Sequence, residues 1–489
     1  MRHPLLKVRW ETIHSLLFAL ALLPFMLSAS IVGAAAQLEP GDGAGRPNIV
    51  LFIADDLGIG DTQPYGNTVV RTPTLQGLAG ESLRFTRAFA ASPTCSPSRS
   101  SIYTGLYPFR SGAHANHTGV RDEARSLVHY LQPLGYRVAL AGKLHVGPRE
   151  ALPFELIAGT NTPEPGHEGD GVLWTDLNLE PVDAWLEQRP QDEHFVLVVA
   201  DHSPHVHWPE QAAYDPAQVD VPPTHIDTPD YRASRARYYT DVSKMDSNVG
   251  ALLEMLQRRG LAENTVFVFA ADQGPQWPFG KWGLYDAGMQ TPLLVRWPER
   301  VRPGTSTDAL VSLVDLLPTF VEIAGGEAPD EIDGRSLLPV LLGRTADHRE
   351  AVFGSHTGDG EMNRSPMRME RTERYKYILN LAPEILYTTH MDRVGREGYW
   401  DSWRALSFRD ERAAAVLWRY HNRPAEELYD LQADPEERRN LAGEPRYAEL
   451  LAGLREDMTE WRRQQGDAET GPEDLESPDR REGVSPYVF

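Results

Sequence analysis

Four largely apolar runs recur in the first part of the chain. They are NIVLFIA (48–54), YRVALAG (136–142), HFVLVVA (194–200) and NTVFVFAA (264–271). Continuous apolar runs of this length are typical of strands that are buried on both faces. Amphipathic stretches with helical spacing separate them, around residues 72–83, 178–188 and 236–259. This alternation predicts an α/β fold with a central, mostly parallel sheet flanked by helices.

Each of the four runs ends in polar, mostly ionisable residues. In chain order these are Asp55-Asp56, Lys143-Leu144-His145, Asp201-His202-Ser203-Pro204-His205 and Asp272-Gln273-Gly274. Alone, an aspartate at a strand end is usually a turn or capping residue, and a loop lysine or histidine is usually solvated. The carboxyl ends of parallel strands, however, meet at one edge of the sheet, where ligands bind. Oxygen ligands from aspartates favour Ca²⁺ or Mg²⁺ over zinc, so we expect a metal site at this edge.

The character of the sequence changes near Ala346. Short strand-like pieces at 351–355, 374–381 and 426–431 precede an amphipathic helix near 444–464. This pattern predicts a smaller C-terminal α+β domain with an antiparallel sheet packed on the main one. The predicted organisation is therefore a signal peptide at 1–36, a catalytic α/β domain at 37–345, and a C-terminal domain with a polar tail at 346–489.

The N-terminus has the layout of a secretory signal peptide. Basic residues precede the apolar run SLLFALALLPFML (15–27), and small residues follow up to Ala36. A membrane anchor is the alternative, but the run is shorter than the roughly 20 residues a span needs, and Pro24 interrupts it. We therefore expect cleavage after Ala36, no stable membrane anchor, and a secreted or periplasmic protein.

The net charge is strongly negative. The whole chain carries −22, and removing residues 1–36 takes away three basic residues and one acidic residue, which leaves −24. Such a field repels nucleic acid and long polyanions. An anionic substrate would therefore need a local basic pocket that works against this field.

Cys95 is the only cysteine in 489 residues, so it makes no intramolecular disulfide. Pro97 suits the first turn of a helix that continues to Gly105, which places Cys95 at the N-terminus of that helix, with Arg99 one turn on. A buried structural cysteine is the alternative, because free cysteines are usually buried. The proline, serines and arginine around Cys95 instead predict a polar position at the exposed rim of the sheet.

The segment Cys95-Ser96-Pro97-Ser98-Arg99, followed by Tyr103-Thr104-Gly105, resembles the modification motif of the type I sulfatases. In that family an enzyme oxidises the cysteine to formylglycine (3-oxoalanine). The resemblance extends over essentially the whole mature chain. GKLHVGP (142–148), DTPDYRASRARYYTDVSKMDSNVG (227–250) and PFGKWGLYDAG (278–288) are most similar to the N-sulfoglucosamine sulfohydrolases, the heparan sulfamidases. Two residues depart from the pattern: Gln273 stands where the family usually has Asn or His, and Lys281 where the sulfamidases have Arg.

The resemblance implies roles for individual residues. The metal ligands would be Asp55, Asp56, residue 95, Asp272 and Gln273, with Ca²⁺ as the usual ion and Mg²⁺ as the alternative. The catalytic set would be Cys95, Arg99, Lys143, His145, His205 and Lys281. Lys143, His205 and Lys281 would also bind the substrate, with His356 and Glu361 as sugar contacts. In this scheme one hydroxyl of the hydrated aldehyde attacks sulfur, His205 or Lys281 protonates the leaving group, and His145 deprotonates the second hydroxyl to expel sulfate.

The resulting hypothesis is a sulfuric ester or sulfamate hydrolase. It would release sulfate from a sulfated saccharide of the glycosaminoglycan type, acting at chain ends, and would need the modifying enzyme as a partner. One alternative is an O-sulfatase for another sugar or an aryl sulfate. Others are a phosphatase or phosphonate hydrolase of the same superfamily, or a secreted glycan-binding protein in which Cys95 stays a thiol. The sequence does not decide the oligomeric state.

Overall fold

The structure, a computed structural model, describes residues 46–163, 175–360 and 362–468. The predicted signal peptide and Glu361 therefore lie outside the described residues. From Arg46 onward the chain forms one compact unit. No helix in the described ranges is long and apolar enough to cross a membrane.

Fifteen strands are present in the described ranges. They are β1 Asn48–Ala54, β2 Leu83–Phe89, β3 Tyr136–Gly142, β4 Glu155–Leu156, β5 Asn161–Pro163, β6 Thr175–Leu177, β7 His194–Ala200, β8 Thr265–Ala271, β9 Gln290–Arg296, β10 Thr305–Thr307, β11 Val311–Ser312, β12 Ala351–His356, β13 Met367–Thr372, β14 Tyr375–Asn380 and β15 Glu426–Asp430. Nine of them form the central sheet, in the order β10-β2-β9-β8-β1-β7-β3-β4, with β11 beside β2.

The four strands predicted from the apolar runs occupy the middle of this sheet. β8, β1, β7 and β3 are adjacent and parallel, and their residues are almost all buried. This confirms the predicted α/β core. The exception to parallel pairing is β9, which is antiparallel to both β2 and β8. The sequence analysis missed β2 and β9, because LRFTRAF alternates apolar and polar residues and β9 contains Pro292.

Helices cover the sheet. They are α1 Pro73–Gly80, α2 Cys95–Thr104, α3 Pro108–Ser111, α4 Leu127–Leu131, α5 Glu180–Gln188, α6 Pro229–Arg258, α7 Asp286–Met289, α8 Leu316–Ile323, α9 Leu338–Leu341, α10 His390–Arg393, α11 Trp400–Ser407, α12 Glu411–His421 and α13 Ala448–Gln465. The expected helix at Cys95 is present and ends at Gly105, whose φ of 68° suits the residue after a helix.

The C-terminal part contains the expected antiparallel sheet, with the strand order β12-β13-β14-β15. It shares a hydrophobic core with the central sheet, because Val352 and Met369 belong to the same buried cluster as Phe52 and Phe269. Ser355 N also donates to Ala91 O (3.1 Å), just before the segment that carries Cys95. The two sheets therefore meet next to this segment. The domain boundary at residues 345 and 346 remains a prediction.

Candidate active site

Three aspartates converge at the carboxyl edge of the central sheet. Asp55 and Asp56 directly follow β1, and Asp272 follows the neighbouring parallel strand β8. One carboxylate oxygen from each lies within 4.8 Å of the others, and all three side chains are fully buried. Asp272 Oδ1 accepts a hydrogen bond from Asp56 N (3.1 Å), which connects the ends of β1 and β8.

Backbone hydrogen bonds between strand ends fix the positions of these side chains. Asp272 N donates to Ala54 O (3.0 Å), and Lys143 N donates to Ala200 O (2.9 Å). Gly142 makes the hydrogen bond from Lys143 N to Ala200 O possible. Its φ is 83°, and a Cβ there would lie 2.0 Å from Ala200 O, so no side chain fits.

Three cations neutralise the aspartates. Lys143 Nζ forms an ion pair with Asp55, Lys281 Nζ lies 2.6 Å from Asp56 Oδ2, and Arg99 Nε donates to Asp272 Oδ2 (2.8 Å). Burial alone would raise the pKa of Asp55, but Lys143 and Arg99 hold that pKa well below its usual range. The structure therefore brings together all three cations that the resemblance implied.

Cys95 lies in the middle of this cluster. Its Sγ is 3.2 Å from Gln273 Nε2, 3.5 Å from Asp55 Oδ1 and 4.0 Å from Asp56 Oδ1. The expectation of an exposed position is wrong, because Cys95 is only 1% exposed. Neighbouring polar groups replace water around it, which the local sequence did not reveal. Burial raises the pKa of the thiol to about 12, so an unmodified Cys95 is a poor nucleophile.

Two histidines of the predicted set point into the same cluster. His205 Nε2 lies 3.6 Å from Asp56 Oδ2. His145 Nε2 is within hydrogen-bond distance (3.0 Å) of His117 Nδ1. Burial, with Lys143 next, holds the pKa of His145 well below its usual range, so its imidazole is neutral.

Strained backbone conformations concentrate here. Asp56, His117, His145 and Trp282 all have φ between 56° and 66° without being glycines. A non-glycine residue in this region has an unfavourable conformation, and such residues cluster at functional sites. The surrounding packing therefore imposes these four side-chain positions.

Cys95 and four more of the predicted site residues line one cavity of about 120 Å³. They are Cys95, Lys143, His145, His205 and Lys281. Other lining residues that the sequence analysis missed include Asn116, His117, Gln276, Asp359, His390 and Arg396. They lie in loops or at a helix end without a recognisable motif, so only the fold brings them to the site. His356 is buried on β12 and does not line this cavity.

The residues present fit a hard divalent cation. Three carboxylates supply oxygen ligands, and the buried Gln273 Oε1 has no hydrogen-bond partner within the described part of the chain. Burial and the neighbouring Asp55 raise the pKa of Asp272 to about 8, which reflects repulsion that a cation would relieve. His205, Asp55 and Cys95 form an overlapping group that could also hold a metal.

Comparisons with known proteins agree with this site. The sulfatase family model matches residues 47–326, and a model described as N-sulphoglucosamine sulphohydrolase, C-terminal, matches residues 275–390. An ulvan-active sulfatase of Formosa agariphila is 33% identical, covering 86% of this chain and 81% of that protein. Human N-sulphoglucosamine sulphohydrolase is 32% identical, covering 85% of this chain and 90% of that protein.

A solved structure described as a complex with its substrate D-glucosamine-2-N,6-O-disulfate has a similar fold. Its TM-score is 0.66 at 20% identity, covering 87% of this chain and 99% of that chain. The fold and the site together define a hydrolase with a buried, cation-rich pocket for an anionic group. The chain belongs to the sulfatase family.

Proposed function

We propose that this sulfatase releases inorganic sulfate from the terminal sugar of a sulfated, glycosaminoglycan-type saccharide, such as N-sulfoglucosamine. Formation of the active enzyme would require oxidation of Cys95 to formylglycine and binding of Ca²⁺. The observation that carries the proposal is the placement of Cys95 beside three buried carboxylates, in a cavity that Lys143 and Lys281 also line. This arrangement supplies a reacting group and positive charge at one point.

Two additions complete the chemistry that the chain itself lacks. Formylglycine at residue 95 would supply a hydrated aldehyde, whose two hydroxyls suit attack on sulfur and release of sulfate by elimination. Asp55, Asp56, Asp272 and Gln273 would hold a cation, which would supply positive charge to the sulfate and lower the pKa of a nearby hydroxyl.

The side chains of the cavity would do the rest. Lys143 and Lys281 bind the sulfate oxygens, whose negative charge they stabilise in a buried environment. Arg99 holds Asp272 and, through Nη1, the carbonyl of Lys143 (2.8 Å), so it positions two members of the site. His145, with a neutral imidazole, takes the proton from the second hydroxyl, and His205 or Lys281 protonates the leaving oxygen or nitrogen.

The size of the cavity supports action at chain ends. A small pocket of about 120 Å³ around Cys95 suits a terminal sulfated group better than a long groove would. The substrate class rests on the relatives, whose names refer to ulvan and to N-sulphoglucosamine. We further propose that the protein is secreted or periplasmic, in line with the apolar N-terminal run.

A screen for sulfate release tests the proposal. Protein produced together with a formylglycine-generating enzyme is given N-sulfoglucosamine, 6-O-sulfoglucosamine, an aryl sulfate, an aryl phosphate and an aryl phosphonate, with calcium present. We expect release of sulfate from at least one sulfated monosaccharide to exceed the turnover of the phosphorus esters. Faster turnover of phosphate or phosphonate would contradict the proposal. Intact-mass analysis of the same sample shows whether residue 95 is an aldehyde or a thiol.

A further inference from the structure

Asp359 is an acidic residue in the catalytic cavity that the proposed chemistry does not use. It lies in the loop after β12, lines the cavity, and is 6% exposed. It makes no hydrogen bond or ion pair with the described lysines of the site. A carboxylate in a pocket for anionic groups weakens binding of the sulfate, unless it meets a hydrogen-bond donor.

The surroundings hold Asp359 in one orientation. Trp282 Nε1 (2.8 Å) and Asn116 Nδ2 (3.1 Å) donate to Oδ2, and His390 Nε2 lies 3.4 Å from the same oxygen. The backbone is fixed as well, because Asp359 N donates to Asn363 O (2.8 Å). Such a carboxylate is pre-organised to bind a ligand group.

The second carboxylate oxygen of Asp359, Oδ1, can still accept a hydrogen bond. Among the described residues, Oδ1 lies 3.4 Å from His117 Nε2, and a carboxylate oxygen can accept two hydrogen bonds. Burial would raise the pKa of Asp359, but the nearby His390 and His117 hold that pKa well below its usual range, so the group stays ionised. Asp359 therefore presents a charged acceptor inside the cavity that Cys95 also lines.

We propose that Asp359 determines specificity, by accepting a hydrogen bond from a hydroxyl or amino group of the sugar that carries the scissile sulfate. Its negative charge also excludes a ring with a second sulfate at the edge that faces Asp359, because like charges brought together in a buried site repel strongly. This inference rests on the proposed function, since it assigns the sulfate to a sugar.

A competing explanation is that Asp359 acts only through His117. The contacts Asp359–His117 and His117–His145 form a chain (3.4 and 3.0 Å), which could merely orient His145. The two explanations differ in their effect on substrates. A residue that orients His145 affects every substrate alike, whereas a sugar-binding residue affects only substrates that carry the sugar.

The experiment measures kcat/KM of wild type and Asp359→Asn on three kinds of substrate. These are N-sulfoglucosamine, two disulfated glucosamines (2-N,6-O and 2-N,3-O), and 4-nitrophenyl sulfate, which lacks a sugar. We expect kcat/KM for the monosulfated sugar to fall about tenfold or more, because the variant loses a charged acceptor. The ratio of kcat/KM for at least one disulfated sugar to kcat/KM for the monosulfated sugar should rise about tenfold in the variant. For the aryl sulfate, kcat/KM should change by less than about twofold.

Equal losses on all substrates would overturn the inference in favour of the His117 chain, and so would unchanged ratios between monosulfated and disulfated sugars. If wild type hydrolyses only non-sugar esters, the proposed function itself fails, which is a separate result. His390→Gln and His117→Gln provide a second comparison should Asp359→Asn not fold. We expect His390→Gln to reduce turnover of the sugar substrates alone, and His117→Gln to reduce turnover of every substrate. The reverse pattern would also overturn the inference.

Discussion

Two cavities of this molecule are lined by basic residues, and they differ in how their charges are placed. The larger, about 490 Å³, contains Arg110, Arg121, Arg125 and Arg463. The smaller, about 120 Å³, is the cavity proposed to be catalytic, with Lys143 and Lys281. By size and number of cations, the arginine-lined cavity would be the better candidate for an anionic substrate.

The ion pairs reverse this ranking. Arg125 and Arg463 pair with glutamates while remaining 53% and 72% exposed, so water screens them. Lys143 and Lys281 are 5% and 3% exposed, and their carboxylate partners are fully buried. Charges that have been removed from water act strongly on a nearby group, and those at a surface do not. Convergence of buried charges, not cavity volume, therefore marks the site.

Replacing Cys95 gives the largest expected effect and tests whether the small cavity alone is catalytic. Cys95→Ala should lower sulfate release more than about 1,000-fold, because no other group can form the hydrated aldehyde. Cys95→Ser should also be nearly inactive, since a plain hydroxyl does not eliminate sulfate. Sulfate-release assays, with circular dichroism to confirm folding, provide the measurement. Activity above about a tenth of wild type in Cys95→Ala would refute this chemistry.

Removal of divalent cations should give the next largest loss. The three carboxylates lie within 4.8 Å of one another and supply oxygen ligands of the kind that calcium prefers. Dialysis against a chelator should reduce activity about 100-fold or more, and calcium should restore it better than magnesium. Metal analysis of the active protein should find about one calcium per chain. Full activity in a sample shown to be metal-free would contradict the assignment.

A matched pair of substitutions compares the two cavities directly. Lys281→Met should lower kcat/KM about 100-fold, because it removes buried charge from the sulfate. Arg125→Met in the arginine-lined cavity should change kcat/KM less than about twofold, since its exposed pair contributes little. Steady-state assays on a sulfated monosaccharide measure both. Similar losses for the two variants would show that the larger cavity also contributes to turnover.

The smallest expected effect concerns stability. Glu370 on β13 is 2% exposed, and its Oε2 has no hydrogen-bond partner among the described residues. Burial, with the charge of Asp457, raises its pKa to about 8. The folded state therefore binds this proton more tightly than the unfolded state, so stability is lost as pH rises from about 4.5 to 8.

Glu370→Gln should remove this dependence. At pH 9 the variant should be more stable than wild type by about 1–3 kcal/mol, and at pH 4 the difference should vanish. Denaturant titrations at both pH values measure it. Glu449→Gln, at an exposed position on α13, is the control, and its effect on stability should be the same at pH 4 and at pH 9. The prediction is wrong if the stability difference between Glu370→Gln and wild type is the same at pH 4 and at pH 9.

The sequence was informative where a local pattern carried the signal. Strand-like runs predicted β1, β3, β7 and β8, and the residues after them predicted which side chains meet, because parallel strands end at one edge. The helix at Cys95 followed from Pro97 and Gly105. The domain boundary and the roles of the site residues remain predictions.

Other features depend on contacts between distant parts of the chain. Asp359 and Trp282 are 77 residues apart and meet because the C-terminal sheet packs beside the segment with Cys95. The burial of Cys95 was likewise missed, because the groups that cover it come from β1 and β8. Local composition describes a residue's neighbours in sequence, and not those in space.

The complete burial of α2 has a consequence for how an active molecule is made. Every residue from Cys95 to Thr104 is inaccessible in the folded chain. Under the proposed function, a modifying enzyme would have to reach the Cys95–Arg99 peptide before it is buried, so oxidation of Cys95 would precede folding. A molecule that folded first would keep its thiol and stay inactive. The active fraction of a preparation would then depend on the rate of oxidation relative to the rate at which the central sheet folds.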